Sequence, residues 1–461
     1  MTKASNLRVF NTSSRLGRMK RIIAICVFGS VVNLVSATEL RQFYDSAVIS
    51  SFEKAGAAAR EQAANADVAV ARAEYLPQIS FNYTDASTDQ DVRYSSQAAI
   101  DGNQTSYDTE ERYWLVTQTL FDVPKAYAMR ASKVQVQQVQ SEGRSDVLSF
   151  GHTMVSLYLE ALSYEEQISV AKAQVDYLEA RGAREQGDLA AGRITPSVYA
   201  VTLASLSEAE TELARGLGNY SAVRDSFCAL AKSRACPLPK TPRPIDRSRI
   251  EIPASQLLTF DDWKNDIPQH PDLVALKLAQ ARVDNEMGQV SSGFLPIVSL
   301  EYENRTDDNG GSIFDGSSVV DKEILRLRAR VNLFEGGKKF AQRARKVEEI
   351  VDLQSEWDIR YRELEADLRR ASSSLDVAIR SDESFGRALD QQSRVVALAQ
   401  RQVDAGFETP DKVLEVQAEY VRISVAQYRA RREAVQALAD VYLAIGSEPV
   451  LALDAIYEPQ S

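Results

Sequence analysis

The sequence predicts a mainly α-helical protein with a small β part, built as a tandem duplication of one long coiled-coil hairpin that carries two strands per copy. Three observations predict it. The segment Ala191-Gly192-Arg193-Ile194-Thr195-Pro196 recurs as Ala405-Gly406-Phe407-Glu408-Thr409-Pro410. Flanking segments recur at nearly the same offset, Leu76-Pro77 as Leu295-Pro296 and Leu120-Phe121 as Leu333-Phe334. In both copies apolar residues step alternately by four and three, and four short segments alternate with period two.

The N-terminus reads as a secretory leader. Arg15, Arg18, Lys20 and Arg21 precede the apolar run from Ile22 to Val35, and Val35-Ser36-Ala37 supplies small residues before a cut ahead of Thr38; Met19 offers a second start. No Cys stands at that cut, so an acylated N-terminus is not expected. An Ala-rich helical stretch from Leu40 to Tyr75 ends at Leu76-Pro77. Ile79, Phe81 and Tyr83 then alternate with Ser80, Asn82 and Thr84, which is a strand with one apolar side. A polar stretch, Asp85 to Glu111, leads to a second strand ending at Phe121.

From Val123 to Ala190 the sequence is helical, with no Pro after Pro124; a continuous helix of that length spans on the order of 100 Å. Its seam runs Leu157, Ala161, Tyr164, Ile168, Ala171, Val175, Leu178, a 3.5-residue repeat. The second copy repeats the plan. Val298, Leu300 and Tyr302 alternate with Ser299, Glu301 and Glu303. After a loop expected over Arg305 to Asp321, the residues Leu325, Leu327, Ala329, Val331 and Leu333 alternate with Arg326, Arg328, Arg330 and Asn332. Gly336-Gly337-Lys338-Lys339 lacks the spacing of a phosphate-binding loop and marks a strand-to-helix turn. The seam of the last helix, from Leu414 to Tyr442, is broken at Arg432, which is expected at a solvated or interchain-paired spot.

The expected organisation is a signal peptide over 1–37 and a first repeat over 38–236, with strands near 77–85 and 111–121 and a tip at 192–197. A Pro-rich linker follows over 237–253. The second repeat, over 254–446, has strands near 296–304 and 323–334 and a tip at 406–411, and a tail covers 447–461. Four strands in an otherwise helical chain cannot close a sheet core alone, so they need partners from other chains.

Charge and composition exclude several functions. A net charge of −11 and a pI near 5.1 argue against nucleic acid as a partner. The 2 histidines, His152 and His270, lie far apart in the repeat, and no Cys/His cluster or nucleophile elbow is present, so no enzyme, metal site or cofactor is expected. The mature sequence has no apolar run near 20 residues; any membrane crossing must be made by strands. In the oxidising compartment that the leader implies, Cys228 and Cys236 are expected to form a disulfide, the alternative being two free thiols.

Over nearly its whole mature length the sequence resembles the TolC-like outer-membrane channel proteins. The resemblance rests on the Leu-Pro pairs opening strands, Phe121 and Phe334 closing strands before long helices, His270-Pro271-Asp272-Leu273 opening the second helix pair, and the doubled Ala-Gly-x-x-Thr-Pro turns. The first copy lacks the element that Gln269-His270-Pro271 supplies in the second. The resemblance implies a homotrimer in which each subunit gives four transmembrane β-strands to a 12-strand outer-membrane barrel, continued into the periplasm by an α-barrel of coiled-coil helices. It implies a passive exit duct of a tripartite export system, serving type I protein secretion or multidrug efflux. The implied partners are outer-membrane lipid, a periplasmic adaptor (membrane fusion) protein and an inner-membrane ABC or proton-driven transporter.

By position, the adaptor-docking tips are Gly192, Arg193, Thr195 and Pro196, and Gly406, Glu408, Thr409 and Pro410, with Thr suited to cap the returning helix. The aperture falls at Asp411, Lys412 and Glu415, where one acid that the resemblance implies is replaced by a base. Lys412 and Glu415 are read either as a closed-state lock between subunits or as a solvated pair within one helix. Arg326, Arg328 and Arg330 are expected to line the lumen, either as a field that favours anions or in pairs with Glu301 and Glu303. The alternative class is a non-channel periplasmic coiled-coil scaffold or adaptor.

Overall fold

The computed structural model describes residues 36–91, 104–231, 236–243, 250, 259–311, 316–408 and 410–453. Most of the expected signal peptide, much of the linker, Thr409 and the end of the tail therefore lie outside the described residues.

Two helices open the chain, α1 (Ser36–Ser50) and α2 (Phe52–Ala73), where the sequence suggested one. Ser51 is the reason for the break: its backbone is extended, and its hydroxyl accepts from the Lys54 N–H at 3.1 Å, so it caps α2. Strands β1 (Gln78–Asp91) and β2 (Gln104–Phe121) follow. Then come α3 (Val123–Ala190), a single 68-residue helix, and α4 (Pro196–Ala229). A short α5 (Phe260–Lys264) and a 3-10 turn (Ile267–Gln269) lead to α6 (Pro271–Ser291). The second copy ends in β3 (Ile297–Asn309), β4 (Ser318–Arg330), α7 (Lys338–Asp404, 67 residues) and α8 (Pro410–Ala444). Gly336-Gly337 turns the chain into α7, as its sequence suggested.

The strands form one antiparallel sheet in the order β1-β2-β3-β4, so consecutive hairpins lie side by side and both outer edges, β1 and β4, are unpaired among the described residues. Pairing runs from Gln78–Thr117 out to Asp91–Gln104, and from Ile297–Arg330 out to Asn309–Ser318. All four strands therefore extend outward well past the segments marked by alternation, and at its other end β4 stops at Arg330, before Val331 and Leu333. The polar stretches assigned to loops are mostly paired strand. Backbone hydrogen bonding, which is indifferent to side-chain polarity, carries the ladder beyond the apolar band.

The core is a belt around the middle of α3. Met154, Val155, Leu159 and Leu162 pack there with Phe43 of α1, Tyr220 and Phe227 of α4, Ile267, Leu273 of α6, Leu368 of α7, and Tyr428 and Val435 of α8. Phe43 and Phe227 stack with ring centroids 4.9 Å apart. Toward the tips each hairpin thins to its own seam, Val175, Leu178 and Ala209 between α3 and α4, and Ala399, Val413 and Val416 between α7 and α8. Cys228 at the end of α4 is bridged to Cys236, tying that helix to the Pro-rich segment.

Candidate functional sites: hairpin tips and the strand faces

Both tips have the same geometry. Gly192 and Gly406 adopt φ of +72° and +74°, a left-handed conformation that costs glycine nothing and other residues roughly 1–2 kcal/mol. After each glycine the chain folds back on its helix. Arg193 N–H donates to Asp188 O at 2.8 Å and Phe407 N–H to Gln402 O at 2.9 Å, the six-to-one bond that ends a helix on a left-handed residue. Pro196 and Pro410 then open α4 and α8, where a missing N–H is harmless.

Thr195 departs from its expected role. It occupies the capping position, but its hydroxyl makes no bond to the helix backbone; it pairs with the Ser197 hydroxyl at 3.0 Å. The tips also differ in chemistry. Arg193 is held by Asp188 at 3.2 Å, whereas Phe407 projects with 84 % of its surface exposed beside exposed Glu408. Below the second tip, Lys412 Nζ donates to Glu415 Oε2 at 2.9 Å within one turn of α8; Lys412 is half-buried and Glu415 exposed.

The sheet has two chemically distinct faces. On one, Ile79, Val116, Tyr302 and Leu325 form a row across all four strands, bordered by Phe81 with Trp114 and by Leu300 with Leu327. Several of these large side chains are exposed, among them Phe81, Trp114, Leu325 and Leu327. The other face carries a ladder of opposite charges. Arg328 meets Glu301 at 2.9 Å, Arg326 meets Glu303 at 2.7 Å, Arg305 bridges Glu111 at 2.8 Å and Asp307 at 2.5 Å, and Lys322 reaches Asp307 at 2.8 Å. Of the arginine trio only Arg330 has no ion-pair partner among the described residues. The parity that grouped the arginines also predicted Glu301 and Glu303. It missed Arg305 and Asp307, which lay in the segment read as loop, Glu111, at the margin of the expected second strand, and Lys322, between the expected loop and strand.

Arg432 is neither solvated nor reserved for another chain. Its guanidinium lies 2.8 Å from Glu166, which is also 3.2 Å from Arg429, joining α3 to α8. Burial pushes the Glu166 carboxyl above its usual range, and the two arginines oppose that push. The two histidines, distant in sequence, line one cavity of about 340 Å³ with Ser145, Arg360, Arg370 and Asp440. His152 Nε2 lies 2.6 Å from Asp440, while His270 Nδ1 accepts from the Asp272 N–H at 3.1 Å and so caps α6. Among the described residues no cluster of His, Cys, Asp or Glu has the makings of a metal site, and no helix is long and apolar enough to cross a membrane.

The chain thus sets a sheet with one exposed apolar face on two long hairpins with matched tips. Residues 267–447, nearly all of the second repeat, match the family described as outer membrane efflux protein. No curated protein sequence matches the chain. Among solved structures it is similar to the Campylobacter jejuni CmeC outer membrane channel, at 14 % identity over 88 % of this chain and 85 % of that one, with a TM-score of 0.70. A Pseudomonas aeruginosa membrane protein gives 16 % identity over 93 % and 97 %, with a TM-score of 0.71. The Vibrio cholerae outer membrane protein VceC gives 16 % over 89 % and 96 %, with a TM-score of 0.68. At these identities the likeness establishes the fold.

Proposed function

We propose that three copies of this chain form a passive exit duct, each giving four strands to a closed 12-strand barrel, and that the duct is opened by a periplasmic adaptor and an energised inner-membrane transporter. The observation that carries this reading is the open four-stranded sheet. Its unpaired edges, β1 and β4, would meet the β4 and β1 edges of neighbouring copies, and closure satisfies every backbone group in a medium that supplies no hydrogen bonds. The apolar face then meets lipid and the ion-paired face lines the pore. The polar outer parts of the hairpins project beyond the bilayer.

The tips at 192–197 and 406–411 are the surfaces offered to the adaptor, with Arg193 and Glu408 the charged groups and Phe407 the apolar one. The aperture is assigned to Asp411, Lys412 and Glu415. The family match favours efflux, and protein secretion is the second cargo class. Purified protein should run as a trimer and produce discrete conductance steps in a planar bilayer. A monomer that stays soluble without detergent would instead favour a periplasmic scaffold. For the tips, adaptor crosslinking through cysteines placed at Arg193 and Glu408 is expected, and its absence in cells that export normally would remove the docking assignment.

A further inference from the structure

We propose that the junction between β4 and α7 binds anionic phospholipid headgroups of the periplasmic leaflet; the proposal rests on the reading of the sheet as membrane-spanning. The lipid-facing parity of β4, Leu325 and Leu327, continues past the strand end through Val331 to Leu333. Leu333 and Phe334 are 85 % and 81 % exposed, and Phe340 in the first turn of α7 is exposed as well. Large apolar side chains in such positions mark the lower limit of the acyl region.

Cations begin at once. Lys338, Lys339, Arg343, Arg345 and Lys346 fall within the first nine residues of α7, roughly 12 Å of helix, with no acid among those residues in a chain whose net charge is −11. Lys339 and Lys346 are engaged by Glu335, Glu286 and Glu349. Lys338, Arg343 and Arg345 are exposed and have no ion-pair partner among the described residues. Arg345, Lys339 and Lys346 line a cavity of about 570 Å³ together with Pro124 and Ala128 of α3 and with Gln289 and Glu286 of α6, the last of these held by Lys346. That volume accommodates a glycerophosphate head.

The matching junction of the first repeat is not equipped in this way. The matching residues 125–133 carry three cations, Lys125, Arg130 and Lys133, where 338–346 carry five, and there Lys125 donates to the Glu74 carbonyl and the Thr119 hydroxyl while Arg130 lies over the Tyr127 ring. The surplus of cations thus sits at one junction, directly below an apolar rim. Uncompensated Lys and Arg beside a bilayer each attract anionic lipid by about 1 kcal/mol, and the phosphate of phosphatidylglycerol meets them while its acyl chains continue along Leu333 and Phe334.

The test is native mass spectrometry of the full-length channel purified with equal phosphatidylglycerol and phosphatidylethanolamine. The wild type should retain phosphatidylglycerol by about tenfold over phosphatidylethanolamine. The variant K338Q/R343Q/R345Q should fall to about parity while keeping its oligomeric size and conductance, and R343K/R345K should keep the preference. Equal retention of the two lipids by the wild type overturns the proposal, as does full preference in the triple-Gln variant. Loss of oligomer in that variant together with no lipid preference in the wild type also overturns it, because the cations then serve another copy of the chain. Absence of conductance in the wild type would instead strike at the channel reading.

Discussion

At Glu166 a carboxylate with 1 % of its surface exposed sits between Arg432, which is 16 % exposed, and Arg429, which is 53 % exposed. Removing one member of such a group leaves charge in a dry place, which costs more than the pair contributes. Arg432→Ala should lower stability by about 3 kcal/mol, read as a shift in denaturation midpoint, and Glu166→Leu with Arg432→Met should recover most of it. His270 gives a pH-dependent counterpart. Burial holds its imidazole below the usual value of 6.5, because charging the ring would strand it. A folded-state value below the unfolded one means the unfolded chain takes up the proton first, so stability is complete above pH 6.5 and is lost as pH falls from there. Thermal melts should show this loss, and His270→Asn, which keeps a capping acceptor, should flatten it in that window. The sequence announced His270 through its place before Pro271, since a cap is a local affair. It misplaced Arg432 because a seam pattern shows where a residue points and not which buried acid waits there.

Among the elements, the paired tips were legible to the residue, because Gly followed by Thr-Pro encodes a helix stop and a helix start through backbone geometry alone. Gly192→Ala and Gly406→Ala should each cost roughly 1–2 kcal/mol locally, seen as faster hydrogen exchange at the ends of α3 and α7 with little change in the core belt. The strands were legible only where they alternate. Asp85 to Asp91 and Arg305 to Asn309 carry no apolar side, yet they pair in register, since ladder bonds and cross-strand ion pairs such as Lys322–Asp307 hold them. Period-two hydrophobicity reports contact with an apolar phase, and these residues have none.

For the whole molecule, the ion ladder would set the sign of the field in the proposed pore. Arg326 and Arg328 are matched by Glu303 and Glu301, so replacing either arginine uncovers a carboxylate. Arg326→Gln and Arg328→Gln should therefore move the reversal potential in a salt gradient toward cation selectivity, and Arg330→Gln, which uncovers nothing, should produce the same sign by removing a free positive charge. A null result for all three would place these side chains away from the conduction path. Closure is checked separately. Cysteines placed on β1 and β4, the two sheet edges, should crosslink between chains and yield trimers on a denaturing gel, whereas products limited to dimers would contradict a closed three-fold barrel.

Duplication, helix length, tip geometry and the alternation of the strands follow from the order of residues alone, because each depends on neighbours a few positions apart or on a motif written twice. Partners across the fold do not. The buried Glu166 group, the meeting of His152 and His270 in one cavity and the matched charges of the sheet bring together residues from separate elements. Only the packing of α3 against α8 and the register of β2, β3 and β4 decide which of those charges meet, since charge pairing and burial act through space and leave no period in the sequence.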